Sequence, residues 1–378
     1  MRFILLFLTV LMLAGCTSGR KAYLRGDYDE ATLKAINRLR SSPNNKKAQT
    51  TLRQAYNQSV IWHQGIIANV AKSANIYKWE EIADHYKQLD RLAAELQTCP
   101  ACLRIITIPK QFATQHDEAR LKAAEVRYES GKKALDRDDS RQSAREAYEH
   151  FSIAELYYPN YKNTPQLRAE AKFYATLKVL VKDIPVQSRA LSVSAEFFEN
   201  KVREFLRDGN RNEFVRFYTP QELQALKNTA PDQILSLSFD EFMIGQTHLR
   251  DSETEITRDS VQVGSVTVEG VKHPVYNTVK AKLRVFDKRV ISTGVLDLRI
   301  TDARTNTILT QEKLPGTFTW ETRWATFNGD ERALTADDLK LTRLKDVPPP
   351  PPQDLFIAFT QPIFSQITSK LQHFYSRY

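Results

Sequence analysis

From residue 17 to about residue 175, apolar positions recur at steps of three and four along this 378-residue chain, which is the period of a helix with one buried face. Residues 46–72 form one long amphipathic pattern, and Trp79 to Leu96 form another. The predicted buried stripe of the second pattern comprises Ile82, Tyr86, Leu89, Leu92, Ala93 and Leu96. This part of the chain is therefore predicted to be a stack of helices.

Near Thr176 the helical steps give way to alternation of apolar and polar residues. The predicted elements are strands at 177–181, 214–218 and 233–239 and helices at 195–206 and 222–226. After residue 258 the alternation predicts a β-meander with one apolar face, whose last strand runs over 318–327. The expected fold class is α+β, in which a helical-repeat array precedes an α/β domain with a largely antiparallel sheet.

Five consecutive prolines, Pro348 to Pro352, follow the predicted sheet and favour an extended, semi-rigid conformation. The apolar positions of residues 354–378 then return to steps of three and four, which predicts an amphipathic helix. Pro362 lies inside this pattern and is expected to kink the helix or to shift its start. The apolar face of the helix has two open interpretations, docking on its own domain or in a groove of a partner.

The first residues combine one positive charge, Arg2, with an apolar run of about a dozen residues that ends in Leu13-Ala14-Gly15-Cys16. Such a run is too short for a stable membrane-spanning helix, which needs about 20 residues. This segment resembles the signal peptide and lipobox of bacterial lipoproteins. The resemblance implies cleavage before Cys16 and acylation of this residue, so that an N-terminal lipid contacts the membrane.

Residue Thr17 bears on which membrane holds the lipid. An Asp after the acylated Cys is similar to the inner-membrane retention signal of some proteobacteria, and this chain has Thr17 instead. The resemblance therefore favours the outer membrane, with the protein facing the periplasm. No second apolar run of membrane-spanning length follows in the sequence, so the rest of the chain is expected to lie in water.

Two stretches of the helical part carry a further resemblance. Gly26 to Asn45 has a turn at its start, small residues at four-residue spacing and a proline near its end. It resembles the second half of a tetratricopeptide repeat, and a second match ends at Pro159-Asn160, preceded by Ala147, Phe151 and Ala154. The resemblance implies stacked helical hairpins with a concave surface that binds peptides or proteins. A generic stack of helical hairpins stays open as the alternative.

The chain has a net charge of +9, of which Arg2 in the signal peptide contributes one. A basic surface can attract nucleic acid, but an exported protein rarely meets it, so no nucleic-acid partner is expected. An acidic envelope polymer or a lipid head-group surface is the more plausible partner. The basic residues are dispersed without a block of five like charges, so an ordinary solvated surface is the alternative interpretation.

With Cys16 assigned to the lipid, Cys99 and Cys102 remain as a pair. Two such neighbours are expected to form a structural disulfide in an oxidising compartment. A redox-active pair usually follows a strand, whereas the residues before Cys99 look like the end of a helix, and Thr98 stands where thioredoxins have an aromatic residue. A single CxxC without a nearby His is a poor zinc site, so no metal is expected.

No other catalytic or cofactor motif emerges. The seven histidines show no metal-ligand spacing on one helix face, and the sequence has no GxSxG elbow, P-loop or GxGxxG motif. They are His63, His85, His116, His150, His248, His273 and His373. We therefore expect no cofactor and no enzymatic activity.

The most site-like part of the predicted sheet is aromatic. Alternation places Trp320 and Trp324 on one side of a strand, with Arg323 between them. If exposed, these three residues form a platform for a partner protein or a glycan. If buried, the tryptophans belong to the core of the sheet.

A weaker resemblance covers the second half of the chain. Gly294 to Asp302, followed by a turn and the apolar strand Thr307 to Leu309, resembles a hairpin of the curli-secretion and penicillin-binding-protein-activator lipoproteins. The resemblance implies a periplasmic protein-binding domain. Nothing in the sequence resembles the long membrane-inserting hairpins of the secretion pore, so a channel is not expected.

These observations predict a signal peptide at 1–15, a helical domain at 16–175, an α+β domain at 176–345, a proline linker at 346–352 and a C-terminal helix at 353–378. The expected function is a lipid-anchored adaptor or assembly factor of the cell envelope that binds partner proteins. Two alternatives remain: a lipoprotein that binds envelope glycan or peptidoglycan, and a thiol redox protein that uses Cys99 and Cys102.

Overall fold

A computed structural model describes residues 19–107, 109–185, 191–209, 212–226 and 229–378. The predicted signal peptide and Cys16 lie outside the described residues. Between Ala175 and Thr176 the chain separates into two compact units, called here the N-terminal unit and the C-terminal unit. The first is described as helices alone, and the second combines helices with one sheet, so the mixed α+β class is confirmed.

The N-terminal unit follows the helical periods of the sequence. Its helices are α1 (Arg20–Leu24), α2 (Tyr28–Ser41), α3 (Lys46–Ala71), α4 (Lys78–Gln97), α5 (Pro100–Leu103), α6 (Ala113–Arg137), α7 (Arg141–Tyr157) and α8 (Thr164–Ala175). Asp27, Asn45 and Ser140 cap α2, α3 and α7 by accepting backbone N–H groups, which explains why these helices begin where they do.

Apolar stripes hold these helices together. One core joins Ile36 and Leu39 of α2 to Leu52 of α3 and to Leu92 and Leu96 of α4. A second core lies among α6, α7 and α8 around Phe151. A side chain at Gly131 of α6 would meet the Phe151 ring, with atoms 2.7 Å apart, so this glycine allows the close approach of α6 and α7.

The C-terminal unit contains a five-stranded sheet in the order β2-β1-β3-β4-β5. Its elements are β1 (Leu177–Val181), α9 (Ser192–Asp208), β2 (Val215–Tyr218), α10 (Pro220–Ala225), β3 (Gln233–Val268), β4 (Val271–Asp302), β5 (Ile308–Gly329), a 3₁₀ turn (Glu331–Ala333), α11 (Ala336–Arg343) and α12 (Pro352–Tyr375). Strand β1 is parallel to β2 and β3, whereas β3, β4 and β5 are antiparallel.

The long strands differ from the sequence-based expectation. The predicted strand at 233–239 and the start of the meander, at 258–268, are parts of one strand, β3. The rest of the meander corresponds to β4 and β5, and the predicted last strand at 318–327 lies in the second half of β5. The pairing register of β3 with β4 shifts after Phe239 and after Met243, near Gly245 with its φ of 75°. Such bulges reverse the inside–outside alternation, which hides a continuous strand from a periodicity argument.

Helix α12 covers one face of the sheet. Phe356, Phe359 and Ile363 belong to the same core as Leu296 and Leu298 of β4. Pro362 lies inside the helix, which nevertheless begins at Pro352. The helix therefore docks on its own domain, the first of the two interpretations of its apolar face.

Two glycines bring α12 close to the sheet. A Cβ at Gly294 would lie 2.8 Å from the Phe359 ring, and a Cβ at Gly316 would meet the Phe359 carbonyl and lie 2.6 Å from Ile363. Side chains at either position would push the helix away.

We expect Gly316→Ala to destabilise the C-terminal unit by about 1–3 kcal/mol, because the added methyl group overpacks the contact with α12. Gly264→Ala is the matched control, since a Cβ there has open space and an exposed substitution changes stability by less than about 0.5 kcal/mol. Urea denaturation of both variants measures the difference. Equal stability of the two variants would contradict the close docking of α12.

Candidate functional site

Cys99 and Cys102 form a disulfide in the corner between α4 and α5, with their Cα atoms 5.2 Å apart. Both side chains are fully buried and pack in the same core as Leu96 and Phe112. Cys99 is the residue that precedes α5, as a cap. In this position the sulfur atoms have no access to another molecule.

The two tryptophans of the predicted platform lie on one face of β5. Trp320 pairs with Val290 and Trp324 with Phe286 on the neighbouring strand. The rings of Trp324 and Phe286 are stacked, with centroids 5.1 Å apart and an angle of 10° between their planes. Both tryptophans are half-buried, so part of each ring contributes to the sheet and part remains accessible.

Arg323 does not join the tryptophans. It lies on the opposite face of β5, where its guanidinium group forms an ion pair of 3.2 Å with Asp287. Arg289 and Glu321 form a neighbouring cross-strand pair of 3.0 Å on that face. The structure therefore separates the predicted platform into an aromatic pair and a salt-bridged arginine.

The least expected feature is a hairpin that outgrows the sheet. Strand β5 ends opposite Ala281, whereas β3 and β4 continue as a two-stranded ribbon to the turn Glu269-Gly270. Both turn residues have positive φ angles, 53° and 82°, as a tight hairpin turn requires. Residues 261–278 of this ribbon are called the hairpin arm here.

The root of the arm is held from both faces. On one face Val279, Ala281 and Leu283 of β4 are buried in a cluster with Ala333 and Leu334. The opposite face carries three exposed cross-strand ion pairs, Lys280–Glu255 at 2.9 Å, Lys282–Glu253 at 3.7 Å and Arg284–Asp251 at 2.7 Å. Exposed pairs of this kind add at most about 1 kcal/mol each, so the buried cluster is the stronger support.

The arm itself has an apolar face in solvent. Val266, Val268 and Val271 are 50%, 52% and 58% exposed, and the pairing of Val268 with Val271 places them on one side of the ribbon. Val275 continues the same side through its pairing with Gly264. These four valines are called the valine stripe.

The N-terminal unit contains a polar chain that crosses three helices. Ser59 of α3 donates a hydrogen bond to Asp29 of α2, whose other carboxylate oxygen lies 3.0 Å from Nε2 of His63. Nδ1 of His63 lies 2.7 Å from Nδ1 of His85 on α4. Sequence reasoning missed this hydrogen-bonded chain, because each histidine stands alone on its own helix and only the packing of α3 against α4 joins them.

The Asp29 carboxylate restricts which ring nitrogens of His63 and His85 carry protons. Asp29 accepts from Nε2 of His63, and the contact between the two Nδ1 atoms needs one donor and one acceptor, so only one of the two rings carries a proton at Nδ1. Burial raises the pKa of Asp29, but the hydrogen bonds from His63 and Ser59 outweigh burial and hold the pKa below its ordinary value. Burial also lowers the pKa of His85, and the charge of His63 lowers it further.

Both units contain clefts. His85 borders an open polar cleft of about 580 Å³, together with Tyr77, Glu81, Asp84 and Tyr157. In the C-terminal unit, a cleft of about 410 Å³ lies at the carboxyl ends of β1 and β2 and is lined by Val181, Arg203, Leu206, Phe217, Tyr218 and Glu222. The second position is where open sheets with parallel strands commonly bind ligands.

Within the ranges that the structure describes, no three His, Cys, Asp or Glu side chains are arranged to hold a metal ion. Of the helices described, none combines the length and the hydropathy that crossing a bilayer requires.

The lowered pKa of His85 predicts a loss of stability on acidification. The unfolded chain takes up a proton at His85 near pH 6.5, and the folded chain does so only at lower pH, so stability falls as the pH drops through this range. We expect His85→Gln to reduce the slope of the free energy of unfolding against pH between about pH 7 and about pH 5. Gln88→Ala, which alters the same cleft without removing a titratable group, is the control and should leave the slope unchanged. Thermal unfolding across this range measures both, and equal slopes would contradict the expectation.

Comparison with known proteins gives little further information. No family model and no curated protein matches the chain. Among solved structures, a neuraminyllactose-binding hemagglutinin homologue from Helicobacter pylori matches 52% of this chain and 85% of its own, with 11% sequence identity and a TM-score of 0.25. A likeness of this size carries no inference about fold or function.

Proposed function

We propose that this protein is a lipid-anchored adaptor or assembly factor of the cell envelope that binds partner proteins and performs no catalysis. The hairpin arm is the single observation that supports this proposal most. The arm carries an exposed valine stripe beyond the reach of β5, where no described element covers it.

The stability of the arm explains why a partner is expected. An isolated two-stranded hairpin is at best marginally stable in water. In this ribbon, Val268 and Val271 expose more than half of their surface instead of burying it. Contiguous exposed apolar surface on a soluble protein marks a site of interaction. A partner that covers the valine stripe removes this surface from water and stabilises the arm at the same time.

The N-terminal unit offers a second surface. Its helices α2, α3 and α4 pack around one core and its helices α6, α7 and α8 around another, and stacked helices of this kind build a tetratricopeptide-like array. We assign this array to peptide or protein binding, with the cleft beside His85 as a concave part of its surface. A lipid on Cys16 holds both surfaces at the membrane, most simply the outer membrane, and raises the effective concentration of the chain toward envelope partners.

The two alternative functions receive less support. A thiol redox protein needs an accessible, activated sulfur, whereas Cys99 and Cys102 are buried in an apolar core. A glycan platform needs exposed ring faces, whereas Trp324 stacks on Phe286 and Arg323 pairs with Asp287 on the other face.

The arm is tested by crosslinking in intact cells. A photoreactive residue at Val268 lies on the valine stripe, and the same residue at Thr267 lies on the opposite face of the same strand. We expect discrete adducts with an envelope protein from position 268 and far fewer from position 267. Equal yields from both positions, or none from either, would remove the support that the arm gives to the adaptor function.

The anchor is tested separately by labelling cells with a clickable fatty acid. We expect the wild-type chain to incorporate the label and Cys16→Ala to lose it and to remain unprocessed, because the acylated thiol is absent. Cys102→Ala is the control for the other cysteines and should keep the label. Label that persists in Cys16→Ala would contradict the lipid anchor.

A further inference from the structure

The segment between α11 and α12 contains Pro348 to Pro351, and Pro352 is the first residue of α12. Leu344 at the start of this segment has φ and ψ of −77° and 152°, and Pro351 near its end has −62° and 155°. Both pairs of angles are those of polyproline II, a left-handed helix with three residues per turn. Residues three positions apart therefore lie on the same edge, which places Pro348 and Pro351 together.

The proline rings contribute little to the packing of their own domain. Pro348, Pro349, Pro351 and Pro352 are exposed, and Pro350 is half-buried. Elsewhere in the unit, apolar side chains of similar size, such as Leu296 and Ile363, are fully buried. The segment thus presents a ridge of apolar rings to solvent, with Pro350 toward the protein.

The segment is fixed at both ends. Asp346, two residues before Pro348, forms an ion pair of 2.6 Å with Lys288, whose side chain is only 15% exposed. After the prolines, Leu355 and Phe356 are buried at the start of α12. Because proline restricts φ and both ends are held, the segment has already lost most of the conformational entropy that binding would otherwise cost.

We propose that Pro348 to Pro352 is a recognition segment for a partner protein with an aromatic-lined groove. Such grooves bind preformed polyproline II ridges, with rings of the partner packed between proline rings. Lys345 precedes Pro348 by three residues, is exposed and forms no ion pair with any described residue. A carboxylate of the partner at one end of the groove complements this charge and sets the direction of binding.

This inference rests on the proposed function in one respect, since it treats the chain as a binding protein, but it concerns a different segment from the hairpin arm. The competing role is that of a spacer between α11 and α12. The four prolines before α12 span about 12 Å in polyproline II, and a spacer needs this length whatever its exposed side chains are. Substitutions confined to one edge of the polyproline II helix distinguish a recognition segment from a spacer.

The first measurement uses a purified SH3 domain that prefers a basic residue before its PxxP motif, titrated with the folded full-length chain. We expect binding that weakens by at least about tenfold in Pro348→Ala/Pro351→Ala and changes by less than about twofold in Pro350→Ala, the matched control on the half-buried edge. Lys345→Glu should also weaken binding. Urea denaturation verifies that each variant is folded. Binding by the isolated peptide 345–352 but not by the folded chain would overturn the inference.

The second measurement places a photoreactive residue at Pro349 in intact cells. We expect one protein adduct. It should disappear when the Pro348→Ala/Pro351→Ala substitutions are added to the photoreactive variant, and excess peptide 345–352 should compete it away in permeabilised cells. Val268→Asp, which disrupts the valine stripe, should leave this adduct in place. Absence of the adduct while crosslinking from Val268 persists would reduce the prolines to a spacer and leave the adaptor function standing. Loss of crosslinking from Val268 while the Pro349 adduct remains would contradict the role of the hairpin arm and leave the proline segment as a recognition site.

Discussion

The close contact between α12 and the sheet is the constraint on which the C-terminal unit depends. Gly294 and Gly316 let the helix backbone approach β4 and β5, and Phe356, Phe359 and Ile363 fill the space above Leu296 and Leu298. Helix α9 packs into the same core through Phe198 and Val202. Without α12, the longest apolar face of the sheet would lie in water, so the last residues of the chain complete a core that the strands begin.

The sequence predicted this architecture where the signal is local. Helices α3 and α4 and strand β1 begin and end within a residue or two of their predicted bounds, because caps and regular apolar spacing act over a few residues. The continuity of β3 escaped prediction, because bulges after Phe239 and Met243 reverse the alternation that marks a strand. The extension of β3 past the end of β5 could not be predicted for a different reason. How far one strand continues beyond its neighbour depends on which residues pair across the sheet, and the periodicity of a single strand does not show this.

For the candidate sites too, the sequence indicated local features but not contacts between distant elements. The disulfide between Cys99 and Cys102 could be anticipated from their spacing, and the common face of Trp320 and Trp324 from alternation. The pairing of Arg323 with Asp287 and the contact of His63 with His85 could not, because each joins residues from elements that only the fold brings together. Periodicity tells which side of an element is buried, and it does not tell which partner lies there.

The hairpin arm also carries a hazard that its sequence moderates. Two arms of neighbouring molecules could pair edge to edge along the outer edge of β4, which β5 does not cover there, as exposed strand edges do at the start of aggregation. Pro274 and Lys272 in the outer part of β4 act as gatekeepers, because a proline removes a ladder donor and a lysine must be desolvated for pairing. If the proposed lipid anchor confines many copies to one membrane surface, neighbouring arms meet more often, and the two gatekeepers matter most there.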